Sequence, residues 1–464
     1  MKSKINKLLK ALSGVLVLVL AATLISGCSS RGTSAPKTFV IWAFDDEDVW
    51  KPIIKEAQKD ALKGYEVNYV KKTLNDSYED DALNSILSGQ GPDIWAMPND
   101  WVYRHKDKLT PMPDSLIKSS KLNLDDQFVP AIKQSGYFDN KLYTLSPTVD
   151  TLMVYYNEKL LQSSLDEFNA SHKGDANIEA RKTASKILNQ IPTTWSDFTE
   201  ASKIITARSG GGFSRSGVSM GTANNINNSE DILYALMLQD GTKMTSDDYS
   251  LATFNLPQTT SAGANEVPAT KALEFYNSFA NSASANYSWN SSVPNNIESF
   301  VNGQTAMIFG FESLSNHLAQ VYPGFKYKKA PLPQIGTAND VATDYASYIT
   351  FAVPKLSSNS DAAWQTIYLL STDQASSYAN TVQISQSAKK KDFQVSLKDR
   401  ESNNSPGKLQ TQTAQTWVKG RYPNEADSAI RTAIENVATA QQDAQSALDL
   451  AASTITTLLR KNTW

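Results

Sequence analysis

The sequence predicts an α/β protein with two lobes. Strand-like and helix-like segments alternate between residues 39 and 97, which is the pattern of a parallel sheet with right-handed crossovers. The chain has 464 residues, which is too long for one ordinary domain and suits two of about 200 residues each. It contains one cysteine, so a disulfide framework is excluded and apolar packing must hold the lobes together.

The N-terminal residues predict an export signal followed by a lipid anchor. Four lysines precede an apolar run over 12–25, and this run is shorter than the ~20 residues that a transmembrane helix needs. The segment Leu24-Ile25-Ser26-Gly27-Cys28 resembles a bacterial lipobox, in which the cysteine is acylated and the chain is cut just before it. We expect a signal peptide over 1–27, lipidation of Cys28, a tether over 28–36, and a location at the outer face of the cell membrane. An ordinary secretory signal or an uncleaved anchor is the alternative.

The first part of the mature chain predicts a parallel sheet. Apolar or alternating runs at 39–44, 65–70 and 93–97 are strand-like, and apolar residues at helical spacing over 49–57 and 78–87 predict helices between them. Ligands in such sheets lie beyond the carboxyl ends of the strands, which here carry the segments 44–46 and 98–101.

The remaining chain continues the α/β pattern. Residues 143–161 predict a strand and then a helix, 162–190 are a polar excursion, and Thr194 predicts the N-cap of a helix with apolar residues on one face. Trp95 and Trp364 stand within apolar patterns and are assigned to the core. Further helices are predicted at 230–239, 269–281 and 297–303, loops with short helices over 373–412, and one or two closing helices over 426–460.

Charge and motif content exclude several function classes. Lys plus Arg is 44 against 47 Asp plus Glu, a formal net charge of −3, and no extended basic cluster supports nucleic-acid binding. The three histidines, His105, His172 and His317, lack the paired spacing of a metal site. No Gly-x-Ser-x-Gly motif follows a strand, so a serine hydrolase is unsupported. We expect no metal, no cofactor and no catalytic residues.

Four segments in order resemble one protein family, the extracellular solute-binding proteins of ABC sugar importers, which include the maltodextrin-binding proteins. The segments cover most of residues 38–372 and lie at 88–94, 146–161, 194–198 and 300–307. The resemblance implies a two-lobed periplasmic-binding-protein-like fold with a ligand cleft between the lobes. It assigns 37–150 plus about 349–372 to the N-terminal lobe, and 151–348 plus about 373–464 to the C-terminal lobe. It also implies a carbohydrate or other small solute as ligand, ABC permease subunits as partners, and a monomer that is not an enzyme.

Sugars present apolar C–H faces and many hydroxyls, so their sites combine aromatic rings with planar polar groups. The resemblance places polar residues after the first strand, after the 93–97 strand and at the first crossing between lobes. The segment after Met307 departs from the maltodextrin binders, because it lacks their tryptophan and changes the aromatic platform. The ligand-binding candidates are Asp45, Asp46, Asn99, Asp100, Trp101, Asp150, Trp289, Phe311, Glu312, Tyr348 and Trp417.

Each candidate has a structural alternative. Asp45 and Asp46 would also suit the negative first turn of the following helix. Trp101, Trp289 and Phe311 would also suit burial in their lobes, and Asp150 would also serve by accepting hydrogen bonds from backbone N–H groups at a hinge. Two alternatives remain for function. A surface glycosidase needs two carboxylates about 5–10 Å apart, and an adhesive lipoprotein needs no ligand.

Overall fold

The computed structural model describes residues 37–190, 192–210, 212–259, 265–336, 342–385, 387 and 406–461. Two five-stranded sheets form its framework, with helices packed around them. The strands, numbered in chain order, are β1 (Lys37–Ala43), β2 (Tyr65–Lys71), β3 (Ile94–Pro98), β4 (Tyr137–Phe138), β5 (Lys141–Leu142), β6 (Thr144–Leu145), β7 (Leu152–Tyr156), β8 (Ala207–Ser209), β9 (Gly212–Val218), β10 (Gln258–Thr259), β11 (Asn265–Glu266), β12 (Thr305–Phe311), β13 (Lys328–Ala330), β14 (Asp344–Tyr345), β15 (Ile349–Ala352) and β16 (Ala414–Gln415).

The helices vary from single turns to the two long segments at the end of the chain. In chain order they are α1 (Glu47–Ala57), α2 (Tyr78–Leu87), α3 (Val102–His105), α4 (Asp114–Ser119), α5 (Leu124–Gln127), α6 (Pro130–Gly136), α7 (Glu158–Ser171), α8 (Ile178–Asn189), α9 (Trp195–Ile205), α10 (Ser229–Gln239), α11 (Pro268–Ser278), α12 (Asn296–Val301), α13 (Leu314–Val321), α14 (Ser360–Ser371), α15 (Ala375–Val382), α16 (Pro406–Gln410), α17 (Pro423–Ala438) and α18 (Ala444–Arg460).

The first sheet has the strand order β2-β1-β3-β15-β6. Strand β1 pairs in parallel with both β2 and β3, which confirms the predicted parallel arrangement of the first segments. Strand β15 returns from late in the chain and runs antiparallel to β3 and β6. Trp50 and Ile53 of α1 pack in the core of this sheet together with Trp364 of α14. Trp95 is also fully buried, so both tryptophans assigned to the core are confirmed.

The second sheet has the order β13-β7-β12-β9-β8. Its core gathers apolar side chains from α9, α10, α17 and α18, such as Phe198, Tyr234, Ile430 and Leu448. The Thr194 side chain accepts a hydrogen bond from the backbone N–H of Asp197, which confirms the predicted N-cap of α9. The polar excursion over 162–190 forms most of α7 and all of α8, because a few apolar residues at helical spacing give each helix one buried face.

Two segments that link the first sheet with the second half of the structure lie close together in the described chain. The chain leaves β6 and enters β7 through residues 146–151, and it returns from β14 to β15 through residues 346–348. The two crossing segments lie side by side, with an antiparallel bridge between Thr151 and Ala346. The backbone N–H of Ser347 donates to the carbonyl of Asp150 at 3.1 Å. These paired segments connect the first sheet with the part of the chain that contains the second sheet.

One helix changes the assignment of chain to lobes. The family resemblance places residues after about 372 in the C-terminal lobe, but α15 packs on the core of the first sheet. The Tyr378 ring lies 6.3 Å from the Trp50 ring and 6.4 Å from the Phe351 ring, centroid to centroid. We therefore propose that the N-terminal lobe comprises 37–150 and 349 to about 382, and the C-terminal lobe the rest of the described chain.

In the described part of the chain, no helix combines the length and apolar character that crossing a bilayer requires.

Candidate ligand-binding site

A cavity of about 410 Å³ lies beside the crossing segments and takes its walls from both sheets. This volume is within the range of about 300–1,000 Å³ that small-molecule sites occupy. The first sheet and its helices contribute one wall, the crossings contribute the floor, and loops and helices of the second sheet contribute the other wall. The lining includes Phe44, Asp45, Leu74, Pro98, Asp100, Thr148, Asp150, Asn228, Asp231, Phe311, Ser313, Ser347, Tyr348, Ile349, Tyr378, Lys419 and Asp427.

Five of the predicted ligand-binding residues line this cavity: Asp45, Asp100, Asp150, Phe311 and Tyr348. They come together because β1 and β3 are parallel, so their carboxyl ends meet at one edge of the first sheet. Phe311 ends β12 of the second sheet, and Tyr348 lies on the second crossing.

Asp45 is held at the end of β1 by neutral donors. Its Oδ2 accepts a hydrogen bond from the Tyr378 hydroxyl at 2.5 Å and from Trp50 Nε1 at 3.4 Å. Both partners belong to helices that pack on the first sheet, so the carboxylate is fixed by that lobe alone. Phe44, one residue earlier, is half-buried and presents an apolar surface to the same cavity.

Asp150 joins the first crossing to the end of β12. Its carboxylate accepts the backbone N–H of Glu312 at 2.6 Å and that of Ser313 at 3.2 Å. Burial raises the pKa of Asp150 to about 7, although these hydrogen bonds oppose the shift. The structural alternative, a carboxylate that accepts backbone N–H donors at a hinge, describes these contacts, and the same side chain also lines the cavity.

Lys419 also lines the cavity, although no pattern in the sequence predicted it as a site residue. It is 5% exposed, and its Nζ lies 2.8 Å from the Asp427 carboxylate and 3.6 Å from Asp100 Oδ2. The Tyr234 hydroxyl donates to Asp427 at 2.7 Å. Burial alone would lower the pKa of Lys419, but the surrounding carboxylates outweigh it and hold that pKa well above the ordinary value. Burial raises the pKa of Asp100, and the Lys419 ammonium opposes that shift.

Asp231 is a second missed residue, in the first turn of α10. It is 8% exposed, and its Oδ2 accepts a hydrogen bond from Asn228 Nδ2 at 3.0 Å. Among the residues that the structure describes, no side chain and no backbone N–H outside the helix donates a hydrogen bond to its Oδ1. Burial raises the pKa of Asp231 to about 7, against the effect of Lys419. Acidic residues are common in the first turn of a helix, so the sequence around Asp231 does not distinguish a ligand-binding carboxylate from an ordinary one.

The other candidates lie outside the lining of this cavity. Trp289 is fully buried in the second core and donates to Asn225. Trp101 stacks on Tyr78 in the first lobe, and Trp417 packs edge-on against Tyr234, so neither presents a free face. Burying these large apolar rings in the cores removes their surface from water, which stabilises the folded protein more than leaving them exposed in a cleft would.

The polar candidates outside the cavity have partners elsewhere. The exposed Asp46 side chain pairs with Lys71 at 2.6 Å. Asn99 is buried and accepts the backbone N–H of Tyr348, which fixes the second crossing to the end of β3. The Glu312 carboxylate accepts hydrogen bonds from the backbone N–H and hydroxyl of Ser385 and lines a separate cavity of about 500 Å³. Cys28 lies outside the described residues.

Among the residues that the structure describes, no group of three or more His, Cys, Asp or Glu is placed to hold a metal ion. The cavity instead combines half-buried Phe44 and Phe311 with carboxylates and one ammonium. This set can cover apolar ring faces and hydrogen-bond to hydroxyl or amine groups.

Comparison with known proteins identifies the family. The model of the bacterial extracellular solute-binding proteins matches residues 45–377, which is more than half of the chain. The chain belongs to this family. The family resemblance seen in the sequence is therefore confirmed, and members of the family are binding proteins.

Relatives and solved structures agree with this assignment. The galactooligosaccharide-binding protein of Bacillus subtilis (strain 168) is 29% identical over 153 residues, which are 30% of this chain and 33% of that protein. The chain therefore aligns with about a third of that relative's length.

Solved structures cover far more of the chain at lower identity. A cyclo/maltodextrin-binding protein complexed with maltotetraose matches with a TM-score of 0.66 at 17% identity, over 94% of this chain and 100% of that one. The cyclic α-maltosyl-1,6-maltose binding protein of Arthrobacter globiformis matches with a TM-score of 0.65 at 17% identity, over 92% and 99%. These likenesses show the fold, and the predicted α/β two-lobed fold class is confirmed.

Proposed function

We propose that this chain captures a sugar or short oligosaccharide in the cavity between its lobes and delivers it to the permease of an ABC importer. The observation that carries the proposal is the composition of the cavity. Both lobes and the two crossing segments contribute to its walls, so a ligand seated there can contact both lobes at once. A ligand that contacts both lobes binds the closed state better than the open state and shifts the population toward closure.

The half-buried rings of Phe44 and Phe311 support a carbohydrate ligand. They belong to opposite lobes and line the same cavity, and aromatic surfaces pack against the C–H faces of sugar rings. Carboxylates at Asp45, Asp100 and Asp231 offer acceptors for hydroxyl groups. We assign the ligand contacts to these residues together with Asp150, Tyr348 and Lys419.

A thermal-shift screen of the chain from Ser29, against mono- and oligosaccharides, tests the proposal. A ligand at 100 times its Kd stabilises the folded state by about 2.7 kcal/mol, which raises Tm measurably. Solution scattering with the stabilising sugar should show a smaller radius of gyration. An absence of stabilisation by every sugar tested would contradict the proposal.

Phe311→Ala should weaken binding of the stabilising sugar by about tenfold or more, since burial of one phenylalanine side chain is worth about 1.5–3 kcal/mol. Phe213→Ala is the matched control, because Phe213 is also half-buried but packs on Tyr287 outside the cavity lining. Titration calorimetry of the two variants gives both affinities. Equal affinities would place the sugar elsewhere.

The proposal includes a binding role without catalysis. The sugar should be recovered unchanged after long incubation with the protein. Turnover that disappears in Asp100→Asn would move the chain to the glycosidase class instead.

The proposal also includes a lipid anchor at Cys28, supported by the lipobox-like segment and the absence of any other cysteine. Cys28→Ser should leave an uncleaved precursor or release the protein from the membrane fraction. Intact-mass analysis and fractionation measure both outcomes. A variant with the wild-type mature mass and membrane fraction would refute the anchor.

A further inference from the structure

The described lining of the cavity carries far more negative than positive charge. It contains five aspartates, Asp45, Asp100, Asp150, Asp231 and Asp427, and one basic side chain, Lys419. The aspartates come from five separate places in the chain, so the excess is a property of the assembled cavity and not of one acidic segment.

The contacts within the protein leave most of this charge uncompensated. The ammonium of Lys419 lies 2.8 Å from Asp427 and 3.6 Å from Asp100 Oδ2, so one positive charge is shared between two of the five carboxylates. Asp45 and Asp150 accept hydrogen bonds from neutral donors, a tyrosine hydroxyl, an indole and two backbone N–H groups. Neutral donors stabilise a carboxylate without cancelling its charge.

Two carboxylates retain unused acceptor atoms. Asp231 is more than nine-tenths buried and lines the cavity, and its Oδ1 has no side-chain or loop donor among the described residues. Asp100 Oδ1 is likewise buried and unpartnered within the described chain. Closure of the lobes removes further water from the cavity, and a buried charge without a counter-charge is costly. A neutral sugar would leave the buried carboxylates without a counter-charge. A cationic sugar would pair with one of them and reduce the free-energy cost of burying it.

We propose that the ligand is an amino sugar, a short oligosaccharide with at least one free, protonated amino group, and that Asp231 receives this ammonium. The inference rests on the proposed sugar-binding function and specifies its substrate class. Phe44 and Phe311 contact the apolar faces of the sugar rings, and the ammonium supplies the positive charge and the N–H donors that the carboxylates lack.

Titration calorimetry on the chain from Ser29 tests the inference with four probes. These are a glucosamine oligosaccharide, its N-acetylated counterpart of the same length, a neutral gluco-oligosaccharide, and spermidine as a cation without a sugar ring. We expect the free amine to bind at least about tenfold more tightly than the N-acetylated form, since loss of one close charge pair commonly costs that much or more. Spermidine should bind more weakly than the amino sugar because it lacks the ring faces.

The outcomes separate the two levels of the proposal. Equal affinity for the free and N-acetylated sugars, or preference for the neutral oligosaccharide, would overturn the cationic ligand and leave sugar binding standing. Binding of spermidine alone would overturn both, and so would the failure of every sugar to bind.

Variants locate the ammonium. Asp231→Asn should weaken binding of the free amine at least about tenfold more than binding of the N-acetylated sugar, and so remove most of the preference for the free amine. Asp48→Asn is the matched control, because it makes the same charge change on an exposed side chain that pairs with Lys51. Should Asp231→Asn fail to fold, as judged by circular dichroism, Asp100→Asn removes the second carboxylate with an unpartnered Oδ1 and should reduce the same preference. An undiminished preference in the folded variant would overturn the assignment of the ammonium to that carboxylate.

Discussion

Replacement of Lys419 by methionine should destabilise the protein strongly, although it removes only one charge. The side chain is 5% exposed and lies within 2.8 Å of the Asp427 carboxylate and 3.6 Å of Asp100 Oδ2. Methionine keeps the aliphatic volume and leaves these largely buried carboxylates without their cation. Breaking a buried pair in this way costs about 3–5 kcal/mol. In a domain of 150–250 residues this corresponds to a fall in Tm of roughly 6–20 °C.

Urea unfolding followed by tryptophan fluorescence measures this loss, and Lys71→Met provides the matched control. Lys71 pairs with Asp46 at 2.6 Å, but both side chains are more than half exposed. Exposed pairs contribute about 0–1 kcal/mol because water screens them and side-chain entropy opposes them. The two lysine variants should therefore differ by several-fold in their effect on the free energy of unfolding.

A second substitution and a pH series identify the cause of the loss. Lys419→Met/Asp427→Asn should recover part of the lost stability, since it removes the stranded carboxylate and retains an acceptor for the Tyr234 hydroxyl. Because the pKa of Lys419 is raised well above its ordinary value, this lysine stays charged between pH 5 and 8. The effect of Lys419→Met should then shrink at low pH, where the carboxylates take up protons. Equal losses in the two lysine variants, or a double variant less stable than Lys419→Met, would refute this reasoning.

Two further stability predictions concern the cavity walls. Burial raises the pKa of Asp231 to about 7 from an ordinary 3.8, so this group favours the folded state most below pH 4, and its contribution is lost as the pH rises through 7. Asp231→Asn should therefore raise Tm at pH 8 and leave it nearly unchanged at pH 4 in calorimetry, whereas a lower Tm at pH 8 would show a stabilised carboxylate. Tyr378→Phe removes the hydroxyl that donates to Asp45 at 2.5 Å and should cost about 1.5–3 kcal/mol in urea unfolding. Tyr368→Phe, whose hydroxyl has no hydrogen bond within the described chain, should cost little, and equal losses would contradict the role of this bond.

The local pattern of the sequence predicted the elements of the first lobe closely. The helix predicted at 78–87 is α2, and the strands predicted at 39–44 and 65–70 match β1 and β2 to within two residues at each end. Each of these elements shows the apolar periodicity of its own secondary structure and a clear boundary, so the local sequence is enough to predict it. The carboxyl ends of β1 and β3 follow directly from this, which is why Asp45 and Asp100 could be predicted at the cavity.

The wall contributed by the second lobe could not be predicted in the same way. Lys419 and Asp427 lie almost 200 residues from Asp231 and reach the cavity only through the packing of α17 against the second core. The tryptophan candidates were ambiguous for a related reason. An aromatic residue near a strand end is favourable both in a sugar site and in a core, and only the completed packing of Trp101 on Tyr78 or Trp289 in the second core distinguishes the two.

The stability and the proposed selectivity of the cavity depend on the same unpaired charge. A buried Asp231 with a raised pKa makes the empty protein less stable at neutral pH than an asparagine would. Functional sites commonly reduce the stability of the free protein in this way, because a polar group that is fully hydrogen-bonded or paired within the protein cannot bind a ligand. An ammonium that pairs with Asp231 would restore the ionised form and recover that free energy on binding. Stabilisation by a cationic sugar should therefore exceed stabilisation by a neutral one most strongly near pH 7, where Asp231 ionises and the amino group of the sugar still keeps its proton.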